Sequence, residues 1–149
     1  RKLIAWPDNV EPLRNVYSDI FVDIVHETDI SDDNFFVTEK TIRPIMFKRP
    51  FLSMSGKNFL SKLRQLGFKT FDTWFDETYD SLDTMSRLTR IRHRMENISK
   101  WTRAEKEAML KDMQSTIEHN YEHLKSAKFV RHYKEFDAVD YDAKGKYFE

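Results

Sequence analysis

Hydrophobic and polar positions follow two regimes along the chain. In the first, short apolar runs alternate with turn-like and helical stretches. Residues 1–18 (RKLIAWPDNVEPLRNVYS) carry Pro7, Pro12 and Asp8-Asn9 and predict an irregular lead-in. Residues 19–26 (DIFVDIVH) are rich in Ile, Val and Phe and predict a largely buried strand centred on 20–25. Residues 27–34 (ETDISDDN) are polar and turn-like. Thr38 suits the N-cap of a helix running to about Lys48, with Glu39 in the first turn, where the helix dipole favours an acid. Pro44 removes one helical hydrogen bond from that segment. Phe51–Met54, after Pro50, predicts a second buried strand. Residues 57–66 place Phe59, Leu60, Leu63 and Leu66 on one helical face, and Gly67 stands where a left-handed C-cap is wanted. Residues 68–71 then predict a third strand. The order strand, helix, strand, helix, strand with short connections is that of a mostly parallel sheet with crossover helices.

The second regime begins at Asp72. Asp72, Asp76, Glu77, Asp80 and Asp83 form an acidic stretch without a Lys or Arg. Leu82, Met85, Leu88, Ile91, Met95 and Ile98 then recur at three- and four-residue steps, an amphipathic helix. Thr102 with Glu105 forms a capping box that opens a second long helix, with Leu110, Met113, Ile117, Tyr121 and Leu124 on one stripe. Residues 129–149 are aromatic and charged without periodicity and predict an extended tail. The whole is an α/β domain, 1–149: lead-in 1–18, α/β core 19–82, helical C-terminal extension 83–128 and tail 129–149.

Composition narrows the function classes. The 149 residues carry 25 basic and 25 acidic side chains, so binding to nucleic acid or anionic membranes through overall charge loses its support. With no cysteine, disulfide frameworks and thiolate metal sites are excluded, and a cytoplasmic location is the expectation. No apolar stretch approaches the roughly 18 residues of a membrane span. The chain starts at Arg1 rather than Met and is read as part of a longer two-domain protein.

Several patterns have a plain and a sharp reading. Arg87, Arg90, Arg92, Arg94, Lys100 and Arg103 interleave with the apolar positions of one helix and read as its solvated face. His119-Asn120-Tyr121-Glu122-His123 fits H-x-x-E-H, but no third ligand is evident, so no metal site is expected. Trp74, Phe75, Trp101, Phe35 and Phe36 read as core or interface anchors. Gly-rich phosphate loops are excluded by a glycine count of 3. Thr38-Glu39-Lys40 is the sharper case. A helix opening at the carboxyl end of a parallel sheet suits a nucleotide phosphate, to which Lys40 adds a cation and Glu39 an acceptor for ribose hydroxyls. Its free N–H groups would point into a cleft there. The plain alternative is an ordinary helix cap.

The stretch ETDISDDNFFVTEKTIRPIMFKRPFLSMSG resembles the donor-binding part of the C-terminal domain of GT-B glycosyltransferases, the α-1,3-fucosyltransferase type above all. Glu27, Phe36, Thr38, Glu39, Lys40, Pro50 and Gly56 stand in that family's places: a Glu at a strand end, an aromatic-x-Thr-Glu-Lys box opening a helix, and a Pro-led strand ending in Gly. LRQLGFKTFDTWFDETYD resembles the continuation in related sugar-transferase-like proteins, and the likeness covers residues 19–82. Phe36 stands where the family commonly has Tyr, Thr28 follows Glu27 where Asn is usual, and Lys48 occupies a position usually given to Gly.

The resemblance implies a Rossmann-like half that binds a nucleoside-diphosphate sugar as donor substrate and needs no other cofactor. It implies Glu39 at the ribose, Lys40 at the diphosphate, Glu27 near the sugar or phosphates, and Phe36 and Thr38 beside them. The implied reaction is displacement of the nucleoside diphosphate from the anomeric carbon by an acceptor hydroxyl, with cationic side chains and helix N-termini rather than a metal at the leaving group. Catalysis in such enzymes lies between two domains, so an N-terminal domain, or a second copy of the chain, is the expected partner, and the isolated chain is not expected to turn over. The catalytic base is not assigned. The rival expectation is a non-catalytic domain of the same fold that associates with protein through its helical part.

Overall fold

The computed structural model describes residues 11–32 and 35–126. The readings for residues 1–10 and for the tail 129–149 lie outside the described residues. In chain order the elements are α1 (Glu11–Asp19), β1 (Asp23–His26), α2 (Glu39–Met46), β2 (Phe51–Met54), α3 (Phe59–Gln65), a 3₁₀ turn (Thr78–Ser81), α4 (Thr84–Ser99), α5 (Arg103–Asp112) and α6 (Gln114–Lys125). The architecture is α/β and mostly helical. Among the described residues its sheet has two strands, β1 and β2, paired in parallel with Asp23 opposite Phe51 and His26 opposite Met54.

The first correction concerns the lead-in, part of which is helix α1. Pro12 sits in its first turn, where a missing N–H has no cost, and the helix is held by Tyr17. That ring is buried and stacks on Phe47 at 4.7 Å. Residues 19–26 yield a strand only from Asp23.

The second correction is the third strand, which does not form. Phe68, Thr70 and Phe71 are buried, the pattern that suggested it. Their backbone, however, bonds to side chains instead of a neighbouring strand. The Asn120 side chain takes both the N–H and the C=O of Lys69 at 2.8 Å each, and Glu77 Oε1 accepts from the Phe71 N–H at 2.9 Å. Elsewhere the caps fall where expected. Gly67 has φ +94° just beyond α3, and Thr38 caps α2 by accepting from the Lys40 amide. Asp83, read only as part of the acidic stretch, also caps α4 by accepting from the Ser86 amide. Lys48 also lies in the left-handed region, at φ +53°, which explains why a glycine would suit that place.

The second long helix is broken at Met113 into α5 and α6. α5 buries none of its residues, whereas α6 buries Thr116, Ile117, Asn120 and Leu124 and packs against α2. Met113 itself is fully buried at the bend. The capping box at Thr102 and Glu105 is present in both directions.

The acidic stretch is tied to specific amides. Asp80 accepts from the Leu60 and Ser61 N–H groups at 2.9 and 3.0 Å, and so caps α3 from twenty residues away. Burial pushes the Glu77 carboxyl above its usual range despite the bonds from Thr70 and the Phe71 amide and the Arg64 charge.

α4 packs on β2 and on the 3₁₀ turn, and it corrects a third expectation. Its buried side chains are Arg87, Ile91 and Ile98, while Met85, Leu88 and Met95 are exposed. The apolar positions cover more of the circumference than one packing face can take. The buried line therefore runs through an arginine assigned to the solvated face.

Candidate functional site

Of the five residues singled out by sequence, Glu27, Thr38, Glu39 and Lys40 converge where β1 ends and α2 begins. β1 continues its ladder one residue past His26, through the Glu27 N–H to the Met54 carbonyl at 3.0 Å. This fixes the Glu27 backbone and turns its side chain inward, where it is fully buried. Its Oε1 accepts from the Thr38 N–H at 3.1 Å and from the Thr41 hydroxyl at 2.6 Å, and its Oε2 accepts from the Thr38 hydroxyl at 2.6 Å. Thr38 Oγ1 in turn accepts from the Lys40 N–H at 3.2 Å. Glu27 therefore stands behind the helix start and holds it in place, and it does not face outward towards a sugar or phosphate.

The same bonds correct the expectation of free amides. The N–H groups of Thr38 and Lys40 are both taken by side chains. What the start of α2 presents outward is Glu39 and Lys40. Lys40 Nζ donates to Thr28 Oγ1 and to Glu39 Oε1, each at 3.0 Å, and both charged side chains are partly exposed. Burial pushes the Glu39 carboxyl up, but the Lys40 bond, the Glu39 amide itself and the charges of Lys40 and Arg43 outweigh it. They hold the group below the ordinary carboxylate range. Phe36 is half-buried two residues before Thr38. Thr28, Glu39 and Lys40 are thus brought together at the carboxyl end of the parallel pair, with Glu27 and Thr38 as their support.

Comparison with protein-family models, curated proteins and solved structures finds no match.

Two arrangements refine the sequence reading. His119 and His123 stack with ring centroids 5.9 Å apart, as two helical positions one turn apart allow. Their Nε2–H groups donate to the carbonyls of Gly67 at 2.9 Å and Leu66 at 2.6 Å, at the end of α3. The pair caps that helix, satisfying carbonyls that have no partner within it. Among the described residues no group of three potential ligands surrounds a metal position.

Arg87, expected on a solvated face, is buried instead. Its guanidinium is 1% exposed and bonds to four oxygens: Asp32 Oδ1 at 2.8 Å, the Ile30 carbonyl at 2.8 Å, the Leu82 carbonyl at 2.6 Å and Thr84 Oγ1 at 3.2 Å. The signal in the sequence was its spacing, four and eleven residues before the buried Ile91 and Ile98.

Proposed function

We propose that this chain is the donor-nucleotide half of a glycosyltransferase. In this reading it is a Rossmann-like unit that holds a nucleoside-diphosphate sugar while an acceptor hydroxyl displaces the diphosphate. An N-terminal domain, or a second copy of the chain, completes the catalytic site, and the setting is cytoplasmic. The observation that carries the reading is the position of Lys40. A mobile cation stands at the opening of α2, at the carboxyl end of parallel strands, between Thr28 and Glu39. That is the place where α/β proteins bind phosphate.

Lys40 Nζ has three donors, and two are engaged by neighbours that a phosphate oxygen can replace. Glu39 is a poor neighbour for phosphate but a good acceptor for ribose hydroxyls. Binding the nucleotide would therefore part the two side chains, sending Lys40 to the diphosphate and Glu39 to the sugar ring. No metal is required for this division of labour.

Titration of the chain with nucleoside diphosphates and with pyrophosphate at millimolar concentration, followed by NMR or calorimetry, tests the reading. Lys40→Ala should weaken both ligands by about tenfold or more, the value of a charge-assisted bond. Glu39→Ala should weaken the nucleotide and leave pyrophosphate unchanged or slightly tighter, since Lys40 is released from its ion pair. The wild-type chain binding neither ligand would reject the proposal.

One observation favours the rival, a non-catalytic association domain. Met85, Leu88 and Met95 are exposed together and, with Ile24, His26 and Met54, line an apolar groove between α4 and the strands. Sedimentation of wild type and Leu88→Glu separates the readings. A self-association abolished by the charge, with no nucleotide binding, would support the rival.

A further inference from the structure

We infer that Arg87 is the positioning residue of the Thr28–Lys40 site, an inference that rests on the functional reading above. It fixes the segment after β1 against the start of α4, and so sets where the Thr28 hydroxyl meets Lys40.

The Arg87 guanidinium reaches four oxygens. Two belong to the segment after β1, the Ile30 carbonyl and the Asp32 carboxylate. Two belong to the entrance of α4, the Leu82 carbonyl and the Thr84 hydroxyl. One planar fork thus ties together stretches more than fifty residues apart in sequence. Each terminal nitrogen bonds once to each side. Thr28 lies between two fixed points: Glu27, locked by its carboxylate and by the ladder bond to Met54, and Ile30, locked by Arg87. With the backbone pinned one residue before and two residues after, the Thr28 hydroxyl has little room to leave Lys40. Lys40 is fixed from its own side through Glu27 and Thr38.

The carbonyl bonds carry this anchoring more than the ion pair does. Asp32 is 46% exposed, so water screens its charge, whereas the guanidinium is almost wholly enclosed. A lysine at position 87 cannot reproduce the fork, because its single ammonium cannot span both sides in one plane. Asp32→Asn, in contrast, leaves the two carbonyl bonds intact.

Hydrogen exchange, Lys40 acylation and pyrophosphate binding, measured on wild type, Arg87→Lys and Asp32→Asn, test the inference. Arg87→Lys should speed amide exchange in residues 28–32 about tenfold, corresponding to one charge-assisted bond lost, with α2 and α6 unchanged. It should also raise the acylation rate of Lys40 relative to Lys48 and weaken pyrophosphate several-fold. Asp32→Asn should stay within about twofold on all three.

Exchange in 28–32 that stays at the wild-type rate, or that rises equally across the chain, overturns the inference. Faster exchange with unchanged Lys40 acylation and unchanged pyrophosphate binding also overturns it. Should Arg87→Lys fail to fold, Arg87→Gln takes its place, since its single amide cannot reach both carbonyls. Its acceleration must then be confined to residues 28–32 for the inference to stand. A wild-type chain that binds no pyrophosphate would remove the functional reading alone. Exchange and acylation would then decide whether Arg87 sets the Thr28–Lys40 contact.

Discussion

Replacing Glu27 with alanine should destabilise the protein far more than an ordinary loss at a helix start. The buried carboxylate accepts three hydrogen bonds, from the Thr38 amide, the Thr38 hydroxyl and the Thr41 hydroxyl. A hydrogen bond to an ionised acceptor is worth roughly 1.5–3 kcal/mol net, so three would total at most about 5–9 kcal/mol. The full sum does not apply. The Thr41 hydroxyl lies inside α2 and can turn to the Thr38 carbonyl of the preceding turn, so one of the donors has an alternative partner. The Thr38 amide has none. A loss of about 3–5 kcal/mol follows, against the roughly 5–15 kcal/mol that holds a domain of this kind together. In thermal melts that is a fall of roughly 10–15 °C for a chain of this length. Glu27→Gln keeps the shape and one acceptor and should lose about 1–2 kcal/mol. Urea unfolding followed by circular dichroism gives both values. A Glu27→Ala protein within about 1 kcal/mol of wild type would refute the reasoning, because the carboxylate would then not be what fixes α2.

Three further outcomes follow from the geometry. Gly67→Ala should cost about 2 kcal/mol or more in the same unfolding assay, since the backbone is left-handed there and a Cβ would lie 2.7 Å from the His123 ring. Lys48→Gly should be more stable than Lys48→Ala by about 1 kcal/mol, because both lose the Glu118 ion pair but only glycine relieves the φ of +53°. Glu39 has its folded pKa depressed, so its contribution is present above the usual glutamate value and is lost as pH falls through the folded value. Glu39→Gln should therefore be slightly less stable than wild type at pH 7, by under about 1 kcal/mol given its partial exposure, and the gap should close below roughly pH 4.

What the sequence made legible was local. Thr38 and Thr102 each cap the helix they precede, because a short polar side chain reaching the next turn needs nothing from the rest of the fold. Phe51–Met54 is legible for a different reason: four consecutive buried positions after a proline have few other uses. Residues 68–71 show the limit. Their burial pattern is that of a strand, but whether a strand forms depends on what stands beside it, and there the partners are Asn120 and Glu77. Arg87 shows the same limit from the polar side. Hydropathy assigns an arginine to solvent, and only the arrival of Ile30 and Asp32 from fifty residues upstream gives both terminal nitrogens the acceptors that burial requires, while the buried Nε is left without one. At the candidate site the residue types were legible, but their facing was not. Glu27 and Glu39 have the same chemistry and differ only in which side of the helix start they occupy.

That difference decides what the site can bind. A helix start with free amides attracts any anion, and pyrophosphate would serve as well as a nucleotide. Here the positive end of α2 is already answered from behind by Glu27 and in front by Glu39, which leaves Lys40 as the cation and couples it to an acid. An incoming phosphate must draw Lys40 from Glu39, and that carboxylate then loses the cation that chiefly holds it below the ordinary range. Left facing the phosphate it would repel it. Given a neutral group with hydroxyl donors, it gains hydrogen bonds instead. Under the proposed function the arrangement would penalise bare phosphates and favour a ligand that carries diol and diphosphate on one frame, the form a nucleoside diphosphate takes. Selectivity of this kind comes from the Glu39–Lys40 pair as a unit, so the double variant Glu39→Ala/Lys40→Ala should bind nucleotide and pyrophosphate equally poorly. A double variant that still preferred the nucleotide would place the discrimination elsewhere.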